Sequence, residues 1–205
     1  MRIGIMGGTF DPPHLGHVVP VEWAVSEFNL DQAWFIPAYV PPHKQTEELT
    51  DPYHRAAMVA LAIQKYTNFL LSTIELRSGD VRFTIDTIDD CKKRIRQEDQ
   101  LFVILGSDSF LEIHTWHAYQ RLIRLCEIII MNRGDGEEEL KEKLAQLEIV
   151  LQLNLKEKIH FATAPILPIS STQIRNAIRE GRTVSDSISP EVEAYIRKHS
   201  LYQRR

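Results

Sequence analysis

Short apolar runs alternate along the chain with stretches of helical periodicity. Ile3 to Met6, Ala33 to Pro37, Asn68 to Leu76, Leu101 to Leu105, Glu127 to Met131 and Ile159 to Phe161 read as strands. Several are apolar without interruption, as strands buried on both faces of a parallel sheet are. Leu15 to Phe28 carries Leu15, Val18, Val19, Val25 and Phe28 at mixed helical spacing. Asp51-Pro52 opens a second helix, a cap residue followed by proline at the first position, with Met58, Val59, Ala62 and Ile63 as its stripe. Helices are also expected from the Phe83-Thr84-Ile85-Asp86-Thr87 stretch to about Arg96, from Glu137 to Leu153, from Ser170, and from Ser189-Pro190 to about Ser200. Leu140, Leu144, Leu147 and Leu151 give the Glu137 helix one apolar face. Pro20 conflicts with its segment. Either the regular helix starts close to His17, or it kinks at the proline.

Strand–helix alternation of this kind predicts an α/β fold: a Rossmann-like, doubly wound parallel sheet with helices on both faces. The expected order is 3-2-1-4-5 plus a sixth short strand. No repeat, low-complexity tract or linker interrupts it, so residues 1–205 read as one domain.

The first strand runs into Gly7-Gly8-Thr9-Phe10-Asp11-Pro12-Pro13-His14-Leu15-Gly16-His17. That junction is the carboxyl end of a strand, where open α/β sheets bind ligands. Glycines let a polyanion approach the backbone, and a helix start supplies N–H groups and partial positive charge. His14 and His17 are three apart and share a helix face. A lone Gly-Gly is more often a tight turn, and a lone histidine an ordinary surface or core residue. The joint pattern is far more specific and points to a nucleotide phosphate chain. Ile169-Ser170-Ser171-Thr172-Gln173-Ile174-Arg175 is the second informative stretch. Ser170 and Gln173 have capping-box spacing. Ser171, Thr172 and Arg175 crowd the same helix start, where hydroxyls and a guanidinium suit a triphosphate. Gly181 reads as that helix's stop. In the expected strand order Gly106 and Asp108 stand across the cleft from Gly7 and Gly8, with Asp108 able to accept from ribose hydroxyls.

Composition narrows the class only modestly. The chain has 205 residues, 43% hydrophobic and 25% charged, with a formal net charge of −4. A general nucleic-acid binder would be basic. No apolar run approaches a membrane span, and the first residues lack a signal-peptide pattern. Cys91 and Cys126 have no metal-like spacing and are expected as reduced thiols in a cytoplasmic protein, Cys91 within a helix and Cys126 opening a strand.

Gly7 to His17 resembles the nucleotide-binding motif of the nucleotidyltransferase superfamily with the His-x-Gly-His pattern. Within it, Ile36-Pro37-x-x-x-Pro41-Pro42-His43-Lys44 resembles the substrate loop of bacterial nicotinate-mononucleotide adenylyltransferases, where lysine and histidine face the reacting phosphates. On residues alone this is equally a plain surface loop. Phe83-Thr84-Ile85-Asp86-Thr87 reads by itself as a Thr-capped helix start. The resemblance implies that it lies on the nicotinate ring, with N–H groups near Thr84 holding the carboxylate. It likewise implies that Trp116 stacks on that ring, although a core tryptophan is the alternative. His117 stands where the family has a tyrosine-like residue. Arg133 would lie along the adenine, in a stretch lacking the family's proline. Ser170 to Arg175 matches the family's second phosphate clamp.

The implied reaction is adenylyl transfer from ATP to nicotinate mononucleotide, giving the dinucleotide and pyrophosphate in NAD biosynthesis. Its catalytic groups would be His14, His17, Lys44 and Arg175. Gly7, Gly8, Thr9, Phe10, Gly16, Gly106, Asp108, Arg133, Ile169, Ser170, Ser171 and Thr172 would complete the ATP site. His43, Lys44, Thr84, Asp108, Trp116 and His117 would hold the nicotinate nucleotide. Magnesium would enter on the ATP phosphates, with no protein-held metal site. The expected partners are these small molecules, not nucleic acid or membrane, and a homo-oligomer stays open. Nicotinamide mononucleotide or another phosphate acceptor is the alternative among enzymes. A non-catalytic nucleotide sensor on the same fold is the alternative outside them.

Overall fold

The computed structural model describes residues 1–42, 49–132, 136–163 and 167–203, without the side chains of Glu137 and Thr163. The chain forms β1 (Arg2–Gly8), α1 (Leu15–Glu27), β2 (Gln32–Pro37), α2 (Pro52–Ile63), β3 (Phe69–Leu71), α3 (Thr84–Lys92) and β4 (Gln100–Gly106). It continues through α4 (Ser107–Leu111), a 3-10 turn (Ile113–Thr115), α5 (Tyr119–Leu125), β5 (Glu127–Asn132), α6 (Glu137–Leu151), β6 (Ile159–Thr163), α7 (Ser171–Arg179) and α8 (Pro190–Lys198). The sheet order is β3-β2-β1-β4-β5-β6, with β1–β4, β4–β5 and β5–β6 parallel. The expected doubly wound order is therefore found, and the sixth strand takes the edge beside β5.

Some boundaries differ from expectation, each for a local reason. The third strand is only Phe69–Leu71, because the chain after Ser72 closes into turns, with Arg77 N–H on Thr73 O and Ser78 N–H on Glu75 O. Ile74 and Leu76 are buried by that turn rather than by a ladder. Helix α3 stops at Lys92 instead of near Arg96, since Arg94 N–H tightens onto Cys91 O at 2.9 Å. Its cap position is Phe83, not a threonine, and the Asp86 carboxylate accepts the Phe83 N–H at 3.2 Å. Helix α6 ends at Leu151 because Gln152 turns left-handed. Helix α1 starts at Leu15 and contains Pro20. The proline removes the N–H that Gly16 O would otherwise accept. Gly181, at φ 70, ends α7 with Arg182 N–H on Ala177 O and Gly181 N–H on Ile178 O, a Schellman pattern.

The chain groups into two compact units. The first comprises Met1–Met6, Val21–Ala33 and Phe83–Pro165. Its core includes Ile3, Phe102, Ile104, Ile128, Ile129 and Ile130. The Met1 amino group pairs with Asp99, and both Arg121 guanidinium ends grip the Asp89 carboxylate at 2.7 and 2.8 Å, fixing α5 on α3. Cys91 and Cys126 are buried free thiols. Cys126 caps α5 just before β5, its Sγ donates to Leu122 O, and burial pushes its pKa up to about 12.

The second unit comprises Gly7–Pro20, Trp34–Arg82 and Ile166–Arg205. Met58, Ile174, Ala177, Val184, Ile188, Val192 and Ile196 form its apolar cluster, contributed by α2, α7, α8 and the segment before α8. Beside this lies Arg55, fully buried on α2. Its Nε donates to Thr50 O, its Nη1 to Thr9 O and Ala38 O, and its Nη2 to Tyr39 O, all at 2.7–2.9 Å. A buried guanidinium is tolerated only when such acceptors replace water. Burial still pulls its pKa down, and Asp11, Tyr202 and Asp51 act against that. Arg55→Ala is expected to destabilise the protein by about 3–5 kcal/mol, because it orphans buried acceptors as well as a carboxylate. Denaturant unfolding measures this, and a loss below about 1 kcal/mol would contradict the assigned role.

Candidate active site

Two consecutive prolines shape the loop after β1. Pro12 and Pro13 have no N–H, so the segment offers acceptors and must find donors elsewhere. The helix then starts with His14 as its cap: His17 N–H and Val18 N–H both reach His14 O. The His14 N–H donates to Nδ1 of His17 at 3.2 Å. The i, i+3 spacing of the two histidines is thus that of a capping box, with the imidazole where a glutamate usually stands. An accepting Nδ1 places the proton of a neutral ring on Nε2. His17 therefore presents a neutral N–H donor. Burial first, and His14 second, hold its pKa well below the ordinary histidine value.

Packing fixes the ring further. The His14 and His17 centroids are 3.7 Å apart, and Phe10 meets His17 edge-on at 5.0 Å. Phe10 is buried and adopts φ 52, a conformation that costs an L-residue roughly 1–2 kcal/mol. The glycines follow from these rings. A Cβ on Gly16 would come within 2.9 Å of the His14 ring, and one on Gly8 within 3.1 Å of the Phe10 ring. A Cβ on Gly7 would meet nothing within 4 Å, so packing does not require that glycine.

The second motif joins the first in the same unit. Ser170 caps α7, accepting Gln173 N–H while its own N–H donates to the Gln173 side chain. The reciprocal box expected from the sequence is present. Ser171 Oγ then donates to Pro12 O at 2.8 Å, and Arg175 Nη1 to Asp11 O at 2.8 Å. These are the donors the proline pair lacks. Arg175 Nη2 also reaches Thr172 Oγ1 at 3.4 Å. Ile169 O lies 3.6 Å from the Cβ position of Gly16, which adds a second meeting point of the motifs. His14, His17, Ser171 and Arg175 are thereby held around one short loop, with Thr9 fixed through its carbonyl on Arg55.

Sequence reasoning missed the residues that hold this loop from below. Asp11 is buried at 3% exposure. Its carboxylate accepts the Tyr202 phenol at 2.7 Å and the Thr50 N–H at 3.4 Å, and stands 4.0 Å from Arg175 Nη1. Burial and the Asp11 charge push the Tyr202 pKa far up, so its hydroxyl stays a neutral donor. The one signal available for Arg55 was a charged residue beside Ala56, Met58 and Val59 on an apolar helix face.

The first unit holds other expected residues. Thr84 is the first residue of α3, and the Phe83 and His117 rings lie 4.5 Å apart. That contact brings the Phe83-Thr84 and Trp116-His117 segments together. Trp116 is half-buried, closing the 3-10 turn with its N–H on Ile113 O, and is not a core residue. Gly106 caps α4, which carries the exposed Asp108. His43, Lys44 and Arg133 fall outside the described residues.

Residues 5–177 match the cytidylyltransferase-like family. The chain belongs to this family. Among curated relatives it is 40% identical over 205 residues to a Thermoanaerobacter protein named a probable nicotinate-nucleotide adenylyltransferase, covering 100% of this chain and 95% of that one. It is 34% identical over 202 residues to the Bacillus subtilis nicotinate-nucleotide adenylyltransferase, covering 98% of each. A solved Plasmodium falciparum nicotinic acid mononucleotide adenylyltransferase, described as complexed with NaAD, shares the fold. Its TM-score is 0.75 at 23% identity, with 98% of this chain and 97% of that chain covered. Membership of this nucleotidyltransferase family makes the chain an enzyme and agrees with the resemblance read from its motifs. Among the described residues no helix is long and apolar enough to cross a membrane.

Because the folded His17 has a depressed pKa, its contribution to stability is intact above the unfolded value of about 6.5 and is lost as pH falls below it. Protonation would also turn the accepting Nδ1 into a donor facing the His14 N–H. The melting temperature should therefore drop between about pH 6.5 and 5, and His17→Asn should flatten that drop. Thermal unfolding at several pH values reads this, and an unchanged slope in the variant would refute it. Gly16→Ala should displace the His14 ring and lower turnover by about tenfold or more, since sub-ångström misplacement in a preorganised site is costly.

Proposed function

We propose that this chain transfers the adenylyl group of ATP to nicotinate mononucleotide, giving nicotinate adenine dinucleotide and pyrophosphate, a step of NAD biosynthesis. One observation carries the reading. The two motifs, remote in sequence, converge on the Asp11-Pro12 loop with His14, the neutral donor His17 and Arg175. The two curated relatives bear names that describe the same activity. The family match and the full-length relatives support residues 1–205 acting as one nucleotidyltransferase domain.

The mechanism needs no general base. A phosphate oxygen of the mononucleotide, already anionic, attacks the α-phosphorus, and the bond to the bridging β-oxygen breaks. The barrier lies in bringing two anions together and spreading charge over the α-phosphate. His17 offers Nε2–H to that phosphate as a preorganised neutral donor, and His14 acts beside it. Ser171, Thr172 and Arg175 hold the β- and γ-phosphates, with further donors from the start of α7. Gly7 leaves open space for the phosphate chain. Lys44 and His43 are assigned to the reacting phosphates, and Arg133 to the adenine, from the resemblance alone. In the first unit, the first-turn N–H groups of α3 at Thr84 suit the nicotinate carboxylate. Trp116 and His117 are assigned to the ring, and Asp108 to ribose hydroxyls.

Among the described residues no group of three or more His, Cys, Asp or Glu side chains is placed to hold a metal ion. From the resemblance we assign magnesium to the ATP phosphates. Bound there, it would neutralise phosphate charge. Two buried free thiols fit a reducing compartment, the cytoplasm.

A pyrophosphate-release assay with ATP against nicotinate mononucleotide, nicotinamide mononucleotide and other phosphate acceptors tests the reading. Release should be fastest with the nicotinate nucleotide. ATP binding without release across the panel would replace the enzyme with a sensor. His17→Ala should lower kcat by about 10²–10³, the cost of one preorganised donor, while the KM for nicotinate mononucleotide changes little. Near-normal turnover in that variant would remove His17 from the mechanism.

A further inference from the structure

Tyr202 lies outside residues 5–177 that define the family match. Its phenol nonetheless donates to Asp11 Oδ1 at 2.7 Å across 191 positions of sequence. The chain reaches that point by an unusual path. After α8, Ser200 and Tyr202 both turn left-handed, at φ 51 and 63, and Leu201 N–H is tied to Ile196 O at 3.0 Å. Bulky residues rarely adopt that conformation, and it persists where surrounding contacts impose it. Ser200 is the ordinary left-handed stop of α8, and the left-handed Tyr202 two residues on carries the bond to Asp11.

Asp11 in turn faces the clamp. Its Oδ2 receives Thr50 N–H and stands 4.0 Å from Arg175 Nη1, while its main-chain O accepts from that same Nη1 at 2.8 Å. One carboxylate oxygen is thus held by a phenol. The other faces the guanidinium assigned to the triphosphate.

We infer that Tyr202 is a positioning residue for ATP: its hydroxyl fixes the Asp11 carboxylate in the orientation that aims Arg175, and so sets ATP affinity without touching ATP. The inference rests on the adenylyl-transfer reading above. Without the phenol, the buried carboxylate loses a charge-assisted donor and recovers it from Arg175, the cation 4.0 Å from its Oδ2. A guanidinium drawn further onto Asp11 has fewer donors for phosphate, because its fork is rigid. The hydroxyl and the ring have separable jobs. The ring and Leu201 pack against the cluster containing Met58, Ile174 and Ile196, whereas only the hydroxyl bonds Asp11.

Tyr202→Phe removes the hydroxyl and keeps the ring. Steady-state kinetics should show the KM for ATP raised about fivefold, with the KM for nicotinate mononucleotide within about twofold of the parent. In an Arg175→Ala background the same change should leave the KM for ATP within about twofold, because the route runs through that arginine. Leu201→Ala should lower the melting temperature without raising the KM for ATP. An unchanged ATP KM in Tyr202→Phe, an equal rise for both substrates, full additivity with Arg175→Ala, or the same ATP effect in Leu201→Ala would each overturn the inference. Should Tyr202→Phe not fold, Asp11→Asn takes its place. It keeps an acceptor for the phenol and removes the charge that would draw Arg175 off phosphate, so the KM for ATP must stay at or below the parent value, and an ATP-selective rise would overturn the inference. A parent protein that releases no pyrophosphate would sink the adenylyl-transfer reading itself. With parent turnover intact, these outcomes bear on Tyr202 alone.

Discussion

The second unit depends on one buried charge. Arg55 sits on an apolar helix with no water to solvate it, and carbonyls from Thr9, Ala38, Tyr39 and Thr50 take the place of that water. Three loop segments are thereby fixed to one side chain. Thr9 belongs to the loop after β1, and Ala38, Tyr39 and Thr50 flank the proline-rich segment. Hydrophobic burial could have filled the same volume at less desolvation cost. It could not have fixed carbonyl directions. The guanidinium gives up generic stability for the placement of backbone that carries the chemistry.

Asp11 extends the same logic toward solvent. It is the buried counter-charge shared by Arg55 and Arg175, and its main chain and that of Pro12 accept from the second motif. The paired prolines make this necessary, since a segment without N–H groups cannot satisfy its own carbonyl acceptors from within. The result is a loop in which Thr9 O, Asp11 O and Pro12 O accept from Arg55, Arg175 and Ser171. Positive character at this place therefore arises inside a chain of formal net charge −4.

The His-x-Gly-His pattern has a similar double meaning. Its spacing lets His17 cap the helix that carries it, which selects the Nε2–H tautomer, and its glycine keeps a Cβ out of the His14 ring. A capping interaction worth little in stability thus decides the protonation geometry of His17. Pro20 does not disturb this, because the helix has already been started by bonds to His14 O.

The order of elements, the doubly wound sheet and the meeting of the two helix-start motifs were legible along the chain. Each rests on local rules: apolar runs make buried strands, glycines and caps mark junctions, and hydroxyls with arginine mark anion sites. The third strand was overextended, because a buried turn at Ile74 and Leu76 is as apolar as a strand. Arg55, Asp11 and Tyr202 were not legible as a set. They lie 44 and 147 positions apart in sequence, and nothing in local periodicity records which distant carbonyl or carboxylate a side chain will meet. What the sequence by itself determined was the fold class and the identity of the donors. Only the tertiary structure decided which carbonyls hold those donors, because that follows from long-range contacts formed when the chain closes around buried charge, whereas the proton position on His17 follows from a bond only three residues long.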